Sequence, residues 1–123
     1  MKPSFYFYAN PFQPRSTEAA RKLKTAVEAG GGQVFAEQWL AEEGGGTPCA
    51  LEEMPDGIRA MVVFGGDGTL LRAAGEAVKR KLPLLGVHTG TVGFLMQGDA
   101  EAPERTAALL MEDEYPIVSY PLL

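Results

Sequence analysis

Apolar residues fall into short solid runs separated by amphipathic stretches. The first run, Ser4-Phe5-Tyr6-Phe7-Tyr8-Ala9, is aromatic and stops at Asn10-Pro11, which predicts a buried strand. Asn10 to Arg15 carries two prolines and predicts a loop. Ser16 then offers a helix cap, with Glu18 well placed in the first turn. Ala19, Ala20, Leu23, Ala26 and Val27 recur at helical spacing, and Gly30 stops the helix. Gln33 to Ala36 predicts a second short strand. Ala41 to Pro48, with Gly44-Gly45-Gly46, predicts a mobile surface loop. Ala60 to Phe64 is a third apolar run, and Leu70, Leu71, Ala74, Ala77 and Val78 mark the apolar face of a helix behind it. Leu82 to Val87 predicts a fourth strand opened by Pro83. Pro103 suits the first turn of a last helix through about Met111, and Ile117 to Tyr120 reads as a closing strand.

Strands that alternate with helices imply a parallel sheet covered on both faces, an open three-layer α/β architecture. The pattern shows no internal repeat and no second boundary, so residues 1–123 are read as one domain. In such sheets ligands bind outside the carboxyl ends of the strands. Two glycine-punctuated turns follow the third and fourth strands, and parallel strands would bring both to one rim.

Composition narrows the function. Hydrophobic residues make up 46% of 123, enough for a sizeable core. The net charge of −5 argues against nucleic acid as the main partner, because phosphate-backbone binding needs a basic surface. A bound nucleotide would be held by local amides and a few cations. With one cysteine, Cys49, and one histidine, an intrachain disulfide is excluded and a zinc site has too few ligands. That usage fits a reducing, cytoplasmic setting. Ser4 to Ala9 is too short for a signal-peptide core, and no run approaches the about 20 apolar residues of a membrane span.

The chemistry concentrates in Val62-Val63-Phe64-Gly65-Gly66-Asp67-Gly68-Thr69-Leu70-Leu71, an apolar strand running through a glycine turn into a helix. The glycines allow positive φ and close backbone approach to a ligand. Turn amides and the helix N-terminus suit phosphate. Asp67 is the anomaly, since two unit charges ~4 Å apart repel by about 4 kcal/mol at an effective dielectric near 20. A carboxylate there must compensate by binding a divalent cation, holding a sugar hydroxyl or abstracting a proton. Taken alone, Gly-Gly-Asp-Gly is also compatible with a tight turn and nothing more, Asp67 with a turn-forming residue, and Arg72 with a solvated helix face. The sequence contains neither a GxxxxGK[ST] loop nor a dinucleotide fingerprint at its first turn.

Gly65-Gly66-Asp67-Gly68-Thr69-Leu70-Leu71, taken with Gly90-Thr91-Val92-Gly93-Phe94-Leu95 after a Pro-Leu-Leu-Gly-Val strand, resembles the NAD kinase family. The first motif alone is also similar to turns in lipid kinases and 6-phosphofructokinases; the second favours NAD kinases. The tail from Glu114 to Leu123 is similar to the family's crossing into its second domain. The resemblance covers essentially the whole chain, but only the family's amino-terminal domain. It implies transfer of a phosphoryl group from ATP or polyphosphate, with Mg²⁺ or another divalent cation, to the ribose 2′-hydroxyl of NAD, giving NADP. Asp67 matches the proton acceptor. Gly65, Gly66, Gly68, Thr69, Arg72, His88, Thr89 and Gly90 match nucleotide-binding positions, and no residue matches a metal ligand.

The chain departs from the family pattern in three places. His88 stands where Asn is usual, as a site residue or a packed one; Tyr120 replaces a basic residue. The family's β-rich second domain, with its Asn-Glu or Asn-Asp pair, does not occur in these residues. The chain alone is therefore expected to be a poor kinase. A non-catalytic nucleotide-binding or interaction module is the alternative reading, and a lipid kinase-like enzyme a weaker one. Tyr115, Ile117, Val118, Tyr120, Leu122 and Leu123 would leave apolar surface uncovered, which predicts a homo-oligomer, most simply a two-fold dimer.

Overall fold

Alternation along two central strands decides which helix covers which face. In β1 (Ser4–Ala9), Phe5, Phe7 and Ala9 point to one side and Tyr6 to the other. In β4 (Ile58–Gly65), Ala60, Val62 and Phe64 share the first side, while Met61 and Val63 share the second. All are buried, as residues that fill both faces of a parallel strand must be. The structure is a computed structural model that describes residues 2–88, 98–99 and 102–112.

The first side is covered by α1 (Pro14–Ala29) and α4 (Pro103–Glu112), through Ala19, Ala20, Leu23, Val27, Ala107 and Leu110. The second is covered by α3 (Asp67–Lys79), through Leu70, Ala73, Ala74 and Ala77. The remaining elements are β2 (Gln33–Ala36), α2 (Gln38–Glu42), β3 (Thr47–Pro48), a 3₁₀ turn (Leu51–Glu53), β5 (Leu84–His88) and β6 (Gly98–Asp99). The six strands pair in parallel in the order β3-β2-β1-β4-β5-β6. This is the expected open three-layer α/β architecture.

The order of strands creates a switch point. From β1 the chain passes over the first face through α1 and returns outward to β2. From β4 it passes over the opposite face through α3 and returns outward the other way, to β5. The two connections part between the carboxyl ends of β1 and β4, which is where open α/β sheets form their ligand crevice.

Several local expectations are corrected. Helix α1 begins at Pro14, before the expected cap: proline's fixed φ suits a first helical turn, and Ser16 is buried, its hydroxyl donating to Gln13 Oε1 at 2.6 Å. On α3, Leu71 and Val78 are largely exposed, and Thr69 and Ala73 are buried in their stead. Small side chains at 73, 74 and 77 let the helix lie close on the sheet and turn the bulkier pair outward. The expected loop at 41–48 contains the end of α2 and all of β3. Its glycines are set by the structure around them: a Cβ on Gly45 would lie 2.5 Å from Leu40 Cγ, and Gly44 and Gly46 have positive φ. Strand β5 starts at Leu84, not Leu82; Pro83 only supplies a carbonyl to the Met61 N–H.

The segment from Cys49 to Gly57 lies against the α3 side of the sheet. The Tyr6 hydroxyl donates to the Cys49 carbonyl at 2.7 Å. Arg80, at the end of α3, donates to the carbonyls of Leu51, Glu52 and Met54 and pairs with Glu76 at 2.7 Å. On the other face Arg59 donates to the carbonyls of Leu110 and Met111, closing the C-terminal end of α4. Among the described residues no helix is long and apolar enough to cross a membrane. The expected strand at Ile117–Tyr120, and the tail on which self-association was expected, lie outside the described residues.

Candidate functional site

Strand β4 ends in the glycine turn, and each glycine there answers a different demand. Gly65 has φ +149°, and a Cβ on it would lie 2.8 Å from Thr69 Oγ1. Conformation and space both require glycine. Gly66, the residue before α3, is extended at φ −111° and ψ −172°, where any residue is at ease, and a Cβ there would meet nothing within 4 Å. Gly68 lies in the first turn of α3, exposed, and a Cβ on it would find only Arg72 Nη1 at 3.9 Å. The expectation that all three glycines supply positive φ therefore narrows to Gly65. The other use of glycine, leaving room for close approach, remains for Gly66 and Gly68.

Asp67 is the first residue of α3, half-buried, with Oδ1 shielded from solvent. A carboxylate in this position favours the helix through the dipole. Thr69 is 3% exposed, and its Oγ1, behind Gly65, accepts from Arg72 Nη2 at 3.1 Å. That bond holds the exposed guanidinium beside Gly68. One helix turn thus brings together Asp67, two bare glycines and a cation, beside the first amides of a helix, which have no acceptor within the helix itself.

The neighbouring strand, β5, ends at the same rim. Phe64 pairs with Val87 and Gly65 with His88 in the parallel ladder. His88 is the last residue of β5; its side chain, Thr89, Gly90 and the turn to Leu95 lie outside the described residues. On the other flank the connection after β1 is tied to β4. The Asn10 N–H donates to the Phe64 carbonyl at 3.2 Å, and Asn10 Oδ1 accepts the Phe12 N–H at 2.9 Å. By sequence, Asn10 to Arg15 reads only as a connection, although an Asn directly after a strand is a known turn former that could have marked it.

A second concavity, of about 490 Å³, is lined by Glu37, Trp39, Cys49, Leu51, Glu52 and Glu53 near the ends of β2 and β3. Its carboxylates would repel phosphate, and it lacks the glycine turn. Burial pushes the Cys49 thiol up, Glu53 adds to the shift and Arg80 opposes it, the opposite of the lowering that marks an activated cysteine. Among the described residues no group of three or more His, Cys, Asp or Glu side chains could hold a metal ion. A divalent cation brought in on an anionic ligand would find Asp67 as the nearby carboxylate. That fits the way Mg²⁺ is usually bound, through one or two carboxylates and substrate oxygens.

Comparison with known proteins bears on the family and the fold. The model of the ATP-NAD kinase N-terminal domain matches residues 6–115. The chain is 30% identical over 115 residues to an NAD kinase of Lachnospira eligens, covering 92% of the chain and 39% of that protein. It is 31% identical over 111 residues to an NAD kinase of Agathobacter rectalis, covering 90% of the chain and again 39% of the relative. The chain thus spans about two fifths of the length of these relatives. In fold it is similar to yeast NADH kinase, solved in complex with NADH, with a TM-score of 0.74 at 20% identity over 90% of this chain and 38% of that one.

Proposed function

The chain belongs to the NAD kinase family through the family's N-terminal domain, and from that premise we propose that it provides the phosphate cradle and the proton acceptor for phosphoryl transfer to NAD. One observation carries the reading. Gly66 and Gly68 are glycine without any internal reason to be: neither has positive φ, and neither has a neighbour that a methyl group would strike. Glycine costs about 0.5–1 kcal/mol relative to alanine in a helix. At 68, beside Asp67 and Arg72, the bare backbone leaves room for a ligand to approach.

In the proposed reaction the ribose 2′-hydroxyl oxygen of NAD forms a bond to the terminal phosphorus of ATP or polyphosphate. The bond from that phosphorus to the bridging oxygen breaks, and its electron pair leaves with the shortened phosphate. The hydroxyl proton passes to Asp67. The amides of the α3 start hold phosphate oxygens, and Arg72, fixed by Thr69, adds a positive charge beside them. A divalent cation bound with the phosphates would neutralise charge on the transferring group.

The test separates cradle from punctuation. Gly68→Ala should leave the melting temperature unchanged or raised, yet weaken ATP or NAD binding about tenfold or more in calorimetric titration. Gly65→Ala should cost stability as well. Asp67→Asn should lower NADP formation by an active preparation about 10²-fold or more, the scale of a general base, with little change in melting. Unchanged nucleotide affinity in Gly68→Ala would make the turn a structural feature only.

A further inference from the structure

One large apolar side chain stands in water at the switch point. Phe12 is 92% exposed, against 53% for Leu71 and 43% for Val78. A single exposed apolar side chain is ordinary on a protein surface; the placement of this one is not. Phe12 follows the carboxyl end of β1, and its loop is tied to the end of β4. The Asn10 N–H donates to the Phe64 carbonyl at 3.2 Å, one residue before Gly65. Asn10 Oδ1 accepts the Phe12 N–H at 2.9 Å, and the Gln13 N–H returns to the Asn10 carbonyl at 3.2 Å. Pro11 and Pro14 restrict the chain on either side. The phenyl group contributes nothing to the core, yet its loop is tied by three hydrogen bonds, one of them from Phe12's own N–H and one to the strand that ends in the glycine turn.

The crevice between β1 and β4 accordingly has two unlike walls. Gly66, Asp67, Gly68 and Arg72 form a polar wall suited to phosphate. The loop after β1 forms the other, with an exposed aromatic ring and, in the first turn of α1, the exposed Arg15. An adenine nucleotide has the matching division into an anionic end and a flat apolar one. We propose that Phe12 is a base-binding platform, stacking on the adenine ring of a nucleotide whose phosphates lie on the glycine turn. This rests on the phosphate-cradle reading above and adds the element that recognises the base. Adenine is shared by ATP and NAD, so the ring could come from either, and the two are titrated separately.

The experiment uses the full chain, with ATP, NAD and inorganic tripolyphosphate as separate probes in calorimetry. Phe12→Ala should weaken ATP or NAD by about 5- to 100-fold, the scale of one base stacked on an aromatic side chain. The nucleotide so weakened is the occupant. Tripolyphosphate, which has no base, should bind Phe12→Ala as it binds the parent, and melting should not change. Phe12→Trp should keep the affinity and show indole emission quenched by that nucleotide beyond the change seen from Trp39 in the parent. Equal nucleotide affinity in Phe12→Ala and parent, with Gly68→Ala still impaired, would overturn the platform and leave the cradle standing. A parallel loss of tripolyphosphate binding would overturn it too, by showing that the loop itself had been damaged. Unchanged nucleotide affinity with a lower light-scattering mass would assign Phe12 to a contact between copies instead. A parent chain that binds neither nucleotide would remove both readings.

Discussion

Tyr6 shows what one hydroxyl does inside a sheet. Its ring fills the α3 face, fully buried, and its hydroxyl reaches the Cys49 carbonyl. Burial, reinforced by the charge of Glu37, holds its ionisation well above the ordinary 10.0. A group whose folded value is raised stabilises the fold fully below its unfolded value and loses that contribution as pH rises beyond it. Stability should therefore fall as the solution passes about pH 10, where the unfolded chain ionises and the folded one resists. Tyr6→Phe should cost about 1 kcal/mol at neutral pH through the lost hydrogen bond. It should also flatten the alkaline decline, as urea unfolding at about pH 7 and pH 11 would record. Equal decline in both proteins would remove Tyr6 from the alkaline response. At this scale the sequence was legible where chemistry is local. Asp67 and its glycines stand out as residues, but which glycine carries positive φ did not, because that depends on Thr69 packing behind Gly65. Ser16 looked like a cap and is a buried hydroxyl, because Pro14 starts the helix a turn earlier.

Among elements, the sequence pattern locates β1, β2 and α4 nearly to the residue, and α1 except for its first turn. It fails where short elements depend on a neighbour. The segment 38–57 has little periodic pattern and is ordered by packing within itself, Leu40 filling the space over Gly45, and from outside by Tyr6 and Arg80, which take up its carbonyls. Periodicity misplaces the outer face of α3 because Leu71 and Val78 are apolar by type, while alanines decide how closely the helix can approach. Arg80 is the main fastening between α3 and this segment. Arg80→Met keeps the stem and removes three carbonyl bonds and the Glu76 pair, for an expected loss of about 1–3 kcal/mol. The urea midpoint should fall, and a thiol reagent should label Cys49 faster as the segment opens. A midpoint and labelling rate equal to the parent's would show that apolar packing of Met54 and Leu51 suffices to hold it.

For the molecule as a whole, acidic composition and parallel topology act together. A chain of net charge −5 repels an anionic nucleotide at long range, so attraction must be confined to the few residues at one rim. The alternation of strands and helices indicated that rim, but the order of the strands, on which the crevice depends, follows from pairing between distant segments and has no local signature. That order has a consequence for the chain as a sequence of pieces. The polar wall comes from residues after Gly57 and the aromatic wall from residues before it. The two stretches meet along the β1–β4 ladder and where α1 packs on α4. Gly57 is exposed, at φ +90°, with nothing within 4 Å of a Cβ. A chain cut there should yield fragments that recognise no nucleotide separately and recover binding only when mixed, through the reunited ladder, so that ligand capture reports the joining of two peptides. Binding by either fragment alone would place the whole site on one side of the cut.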